Sequence, residues 1–127
     1  GVALEGMILK PNMVISGSDC GNQAGVDEVA RRTVECLKRC VPAAVPGIMF
    51  LSGGQSEEDA TAHLNVMNAN FSPVPWKLSY SYGRALQQSC LKAWKGEDGN
   101  VKTAQDVLLE RARANSAACA GTFNKAA

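Results

Sequence analysis

Three times along its 127 residues the chain runs through a short apolar or alternating stretch, then a Gly-, Ser- or Pro-marked turn, then a segment with helical spacing. The stretches are Leu4–Leu9, Gly47–Leu51 and Trp76–Tyr82. No Asn-Gly or Asp-Gly pair joins two of them, so hairpins are not indicated. Apolar strands joined by helices predict class α/β, with a parallel sheet covered by helices on its outer face. Three parallel strands leave two bare edges and make a poor isolated fold. A closed (β/α)8 barrel takes roughly 250 residues, so this chain is about half of one.

The helices are marked by their ends and stripes. Asp27 or a neighbour is expected to cap a helix through about Val41, with Val29, Thr33, Cys36, Leu37 and Cys40 inward and Arg31, Arg32, Glu35 and Lys38 outward. Ser56 with Asp59 resembles a capping box, with Asp in place of Glu, and opens a helix to about Met67 or Asn68 along Ala60, Leu64 and Met67. Gly83-Arg84 opens a third helix to about Trp94. A fourth, about Val101–Cys119, has Ala104, Val107, Leu108, Arg111 and Ala112 at helical spacing. Trp76 and Trp94 read as packing anchors, His63 as structural, Glu57, Glu58 and Asp59 as first-turn acids favoured by the helix dipole, and 121–127 as a tail without structural signal.

Composition narrows the function classes. Hydrophobic residues make up 46% of the chain, enough for the core of one domain. A net charge of +1 points to neither nucleic acid nor an anionic membrane surface. No apolar run reaches the ~18 residues of a membrane span, and no secretory leader pattern opens the chain. Cys20, Cys36, Cys40, Cys90 and Cys119 show no CxxC spacing, and only His63 stands ready to join Cys36 and Cys40. A structural zinc needs about four ligands. Reduced, partly buried thiols in a cytosolic protein are the expectation.

Three stretches have the residue types for chemistry. Lys10 closes the first apolar stretch, with Gly6 and Ile8 on its face and Glu5, Met7 and Leu9 on the other. A free lysine with a pKa of about 10.4 holds few neutral amines at pH 7, and apolar burial or a nearby cation lowers that pKa and frees the lone pair. A neutral amine attacks a ketone to give an iminium, an electron sink for breaking a carbon–carbon bond. Ser52-Gly53-Gly54 follows the second strand, where glycine amides and a helix N-terminus suit an oxyanion. It is not a GxGxxG dinucleotide pattern. Ser81-Tyr82-Gly83-Arg84 follows the third strand, and Arg84 offers a bidentate grip on phosphate. Taken singly, each also fits a solvent-reaching lysine, an ordinary βα turn and a surface arginine. Two grips after consecutive strands match the barrel arrangement in which the last two βα loops hold phosphate.

Together, Leu4-Glu5-Gly6 through Leu9-Lys10-Pro11-Asn12-Met13-Val14, Phe50-Leu51-Ser52-Gly53-Gly54-Gln55-Ser56-Glu57-Glu58 and Ser81-Tyr82-Gly83-Arg84-Ala85-Leu86-Gln87 resemble class I fructose-bisphosphate aldolase. Leu91-Lys92-Ala93-Trp94 and Ala114-Asn115-Ser116 also fit, so the resemblance covers nearly the whole chain. It implies the last three βα units and the C-terminal helix of a single (β/α)8 barrel domain, incomplete here. It implies that Lys10 forms the Schiff base, that Ser52, Gly53 and Gly54 bind a substrate phosphate, and that Ser81, Gly83 and Arg84 complete that pocket. It further implies reversible cleavage of fructose 1,6-bisphosphate to dihydroxyacetone phosphate and glyceraldehyde 3-phosphate, no metal or other cofactor, and a cytoplasmic homotetramer. The family's acidic base, further lysines, second phosphate site and tyrosine-ending tail are not in this sequence, which suggests part of a longer protein. Two other readings stay open: a non-catalytic scaffold or interaction fragment, and another Schiff-base barrel aldolase.

Overall fold

The computed structural model describes residues 1–124. Strands β1 (Ile8–Leu9), β2 (Gly47–Phe50) and β3 (Lys77–Tyr80) lie parallel, side by side in chain order. Helix α1 (Val26–Cys40) joins β1 to β2, α2 (Glu57–Asn70) joins β2 to β3, and α3 (Arg84–Trp94) and α4 (Val101–Cys119) follow β3.

Register decides which side chains share a face. Leu9, Ile48 and Leu78 pair across the sheet, as do Phe50 and Tyr80. This row faces the helices: Ile48 and Phe50 are fully buried, against Val29, Val34 and Leu37 of α1 and Ala60, Leu64 and Met67 of α2 within one core. Burying each large apolar side chain contributes about 1.5–3 kcal/mol. The opposite row holds Ile8, Gly47 and Lys77, then Met49 and Ser79. Ile8 and Met49 are bare, 50% and 36% exposed, whereas Ser79 is half-buried with its Oγ 3.4 Å from Cys119 Sγ of α4. Gly47 escapes exposure because Ile8 lies over it; a Cβ there would sit 3.1 Å from Ile8 Cδ1.

Trp76 anchors the entry to β3, donating from Nε1 to the Pro42 carbonyl at 3.0 Å. Tyr82 donates its hydroxyl to the Ala60 carbonyl at 2.8 Å. Burial pushes its pKa up, which keeps that donor protonated.

Several elements depart from expectation. Leu4–Gly6 is a single 3-10 turn, and only Ile8 and Leu9 join the sheet. Gly6 and Met7 donate back to Ala3 and Leu4, so their amides are spent locally. β3 runs from Lys77 to Tyr80, although Ser81 still donates to the Phe50 carbonyl at 2.8 Å. Gly25, not Asp27, caps α1; Asp27 and Glu28 lie in its first turn, where acids suit the dipole. Ser56 does cap α2, accepting from the Asp59 amide at 3.0 Å, and α2 runs on to Asn70.

Cys36 and Cys40 are exposed, not inward, and Ala30 and Val34 complete the buried stripe with Val29, Thr33 and Leu37. Ala104 is buried as its spacing indicated, but Leu108 is 37% exposed, and Asn115 and Ala118 are the other buried residues of α4. Trp94 is 41% exposed and anchors no core. Of the tail, Gly121–Asn124 carries no helix or strand, and residues 125–127 lie outside the described part. Gly121 takes φ +67° and turns the chain against α2, where Phe123 donates to Asn65 Oδ1 at 2.9 Å.

Candidate active site

Lys10 stands one residue beyond β1 and is exposed. Carrying the register on by one step sets it beside Met49 on the bare side of the sheet. The dry surroundings expected around this amine are therefore not made by this chain's own described residues. What the chain does make is a firm seat for the loop that follows. The Leu51 amide donates to the Pro11 carbonyl at 3.0 Å, and Asn12 Nδ2 donates to the Gly53 carbonyl at 3.3 Å. The Met13 amide in turn donates to Asn12 Oδ1 at 2.9 Å and fixes that side chain.

Ser52–Gln55 is the tight turn after β2, closed by the Gln55 amide donating to the Ser52 carbonyl at 2.9 Å. Ser52 is buried, and Gly54 has φ +78°, a region L side chains rarely enter. A Cβ on Gly53 would lie 3.0 Å from Leu51 Cδ1 and 3.5 Å from Asn12 Nδ2. Arg84 opens α3, with Gly83 as a cap that has no side chain to offer its amides. A cleft of about 320 Å³ separates the two, lined by Ser52, Gly54, Gln55 and Ser56 on one side and Arg84 and Gln88 on the other.

Ser52, Gly54 and Arg84 are thus brought together across one cleft, with Gly53 in the backbone of the same turn. Ser81 and Gly83 lie exposed on the adjoining β3–α3 connection and do not line the cleft, nor does Lys10. A guanidinium facing a glycine turn at a helix N-terminus suits a phosphate dianion: a planar donor pair from one side, amides and the helix dipole from the other.

Sequence reasoning passed over Asn12, Gln55 and Gln88. It read His63 as structural, and His63 is buried, with Nδ1 2.7 Å from Gln55 Oε1. Gln55 Nε2 reaches Asn12 Oδ1 at 3.5 Å, so the turn is braced from below by His63 and from the side by Asn12. Burial lowers the His63 pKa, and the nearby Asp59 carboxylate opposes that shift. An amide-bearing residue directly after a glycine turn was the one available signal for Gln55. Nothing local marked the other two.

All five cysteines are free thiols. No helix among the described residues is long and apolar enough to cross a membrane.

The family model described as fructose-bisphosphate aldolase class-I matches residues 1–127. Fructose-bisphosphate aldolase 1 of Toxoplasma gondii is 62% identical over 96% of this chain and 33% of its own length. The cytoplasmic isozyme of Cicer arietinum is 60% identical over 96% of this chain and 34% of its own. A crystal structure of the Plasmodium falciparum aldolase, in complex with TRAP and a small-molecule inhibitor, superposes with a TM-score of 0.95 at 52% identity, over 99% of this chain and 36% of that one. The chain spans about a third of the length of these relatives.

Proposed function

The chain belongs to the class I fructose-bisphosphate aldolase family, and from that premise we propose that the complete protein is a Schiff-base lyase whose amine is Lys10. In this reading the chain is the C-terminal part of a single (β/α)8 barrel, its three strands the last three, and the bare row of Ile8, Lys10 and Met49 faces the barrel interior. Ser52, Gly53, Gly54, Ser81, Gly83 and Arg84 hold one substrate phosphate.

The reaction is the reversible cleavage of fructose 1,6-bisphosphate to dihydroxyacetone phosphate and glyceraldehyde 3-phosphate. Lys10 Nζ attacks the ketone carbon, water leaves, and a protonated iminium remains. A base from outside this chain removes the C4 hydroxyl proton. The C3–C4 bond then breaks, its electron pair moves into the iminium to give an enamine, and the aldehyde departs. The enamine takes up a proton at C3, and water hydrolyses the iminium to free the ketone and regenerate the amine. The iminium is itself the electron sink, so the scheme calls for no metal. The anchored ester holds the ketone near the amine and supplies the orientation such a step needs. We extend the proposal to a homotetramer in the cytosol, in keeping with the cytoplasmic and cytosolic isozymes among the relatives and the free thiols here.

The single observation that carries this reading is the cleft joining Ser52 and Gly54 to Arg84, on loops tied through Asn12 to the segment that follows Lys10. Borohydride trapping of the full-length protein with dihydroxyacetone phosphate tests it. The label is expected on Lys10 and is lost in Lys10→Arg. A label elsewhere, or none, overturns it. Turnover of monophosphate sugars but not the bisphosphate would assign a different Schiff-base aldolase.

A further inference from the structure

Glu57 is the first residue of α2, directly after the Ser56 cap, and at 8% exposure it is among the few buried charged residues. Its carboxylate does not turn to its own helix. Oε1 accepts from the Ser89 backbone amide at 3.0 Å, and Oε2 accepts from the Ser89 hydroxyl. Ser89 sits in the second turn of α3, one position after Gln88 and little more than a turn after Arg84. The Glu57 backbone is held as well. Its carbonyl accepts from Arg111 Nη2 of α4 at 2.7 Å, and Arg111 also donates to Thr61 Oγ1 at 2.7 Å. Asn115 closes this second half of the network, 2.8 Å from Thr61 Oγ1.

The placement matters because the phosphate cleft has two walls on two different helices. One wall ends at Ser56, the other is Arg84 and Gln88. Glu57 adjoins the first, and its carboxylate grips the second, so it sets the spacing of the N-terminal ends of α2 and α3. A charged acceptor with two donors is a strong and directional tie. We infer that Glu57, through Ser89, is a positioning residue for the phosphate cleft, holding Arg84 and Gln88 in register with the Ser52–Ser56 turn. This rests on the phosphate assignment proposed above. The α4 half of the network, Arg111 with Thr61 and Asn115, ties α2 to α4 and makes no hydrogen bond to α3 among the described residues.

That division supplies the test, on the full-length protein. Glu57→Ala is expected to raise KM for phosphorylated substrate about tenfold, and the dissociation constant for inorganic phosphate in parallel. Borohydride trapping with unphosphorylated dihydroxyacetone should keep its wild-type rate, because the amine is untouched. Glu57→Gln, which keeps an acceptor and the shape, should recover most of the loss. Ser89→Ala, a milder change should Glu57→Ala fail to fold, should raise KM about threefold. Asn115→Ala should lower Tm yet leave KM unchanged. An equal rise in KM for Asn115→Ala, or an unchanged KM in both Glu57→Ala and Ser89→Ala, overturns the inference. Wild-type protein that traps no ketone at Lys10 instead overturns the aldolase reading itself, which separates the two failures.

Discussion

Asn12 Nδ2 donates to the carbonyl of Gly53 at 3.3 Å, which ties the segment just beyond Lys10 to the glycine turn after β2. The two stretches lie 41 positions apart in sequence, and this contact couples the backbone after Lys10 to the proposed phosphate grip. Asn12→Ala should therefore slow iminium formation more than it weakens ester binding. A roughly three- to tenfold lower single-turnover rate with near-normal phosphate affinity is expected, the scale of one hydrogen bond to a neutral group.

Arg84 faces Ser52 and Gly54 across the cleft. Arg84→Ala removes a bidentate donor and should raise KM for phosphorylated substrate about 10- to 100-fold. Arg84→Lys keeps the charge but loses the planar fork, and should recover only part of the loss. Steady-state kinetics on the full-length protein checks both.

The two glycines of the turn should differ in how they fail. Gly54→Ala meets only an ordinary contact, 3.4 Å from Ile15 Cδ1, but must hold a side chain at φ +78°. About 1 kcal/mol of destabilisation follows from that strain. Gly53→Ala has no such φ but meets Leu51 Cδ1 at 3.0 Å, beside the Asn12 amide, so its effect should fall on kinetics as Leu51 and Asn12 give way. Urea unfolding together with phosphate titration distinguishes the two patterns.

His63 should make stability depend on pH. Burial holds its folded-state pKa below the ordinary 6.5. Below 6.5 the unfolded chain therefore binds this proton more readily than the folded one, and stability falls as pH drops, levelling off once the folded value is passed. Protonation need not break the bond to Gln55, since Nδ1–H is the donor in both states; the cost is desolvation of the cation. His63→Gln should flatten the slope of Tm against pH below 6.5, and an unchanged slope would show that another group controls it.

Tyr82→Phe removes the hydroxyl that donates to Ala60 at 2.8 Å and leaves a buried carbonyl without that partner. A loss of about 1–2 kcal/mol is expected from chemical denaturation.

Much of this architecture was legible in the sequence because it is written locally. Ser56 caps α2 through a neighbour three positions away, and Arg84, Trp94, Val101 and Cys119 bound α3 and α4 as the spacing indicated. What was not legible depends on distant partners. Glu57 reads as one more first-turn acid until Ser89 arrives from 32 positions away. On α4, Ala104, Val107, Arg111 and Ala112 turn inward as their spacing indicated, but Leu108 does not, and the row is completed by Asn115, a polar residue that an apolar period passes over. Cys36 and Cys40 fit an apolar period yet sit outside it, because Ala30 and Val34 fill the space against the sheet. Of the candidate site, Ser52, Gly54 and Arg84 were named from motif and turn chemistry, whereas Asn12, Gln55 and Gln88 enter only through the folded geometry.

Ile8 and Met49 share the open side of the sheet with the amine of Lys10. Whatever shelters those two hydrophobic side chains from solvent must in the same stroke enclose the lysine. Confinement of the proposed nucleophile and cohesion of the molecule then become one event, so a lesion that loosens the shelter is expected to silence the proposed turnover and invite clumping together.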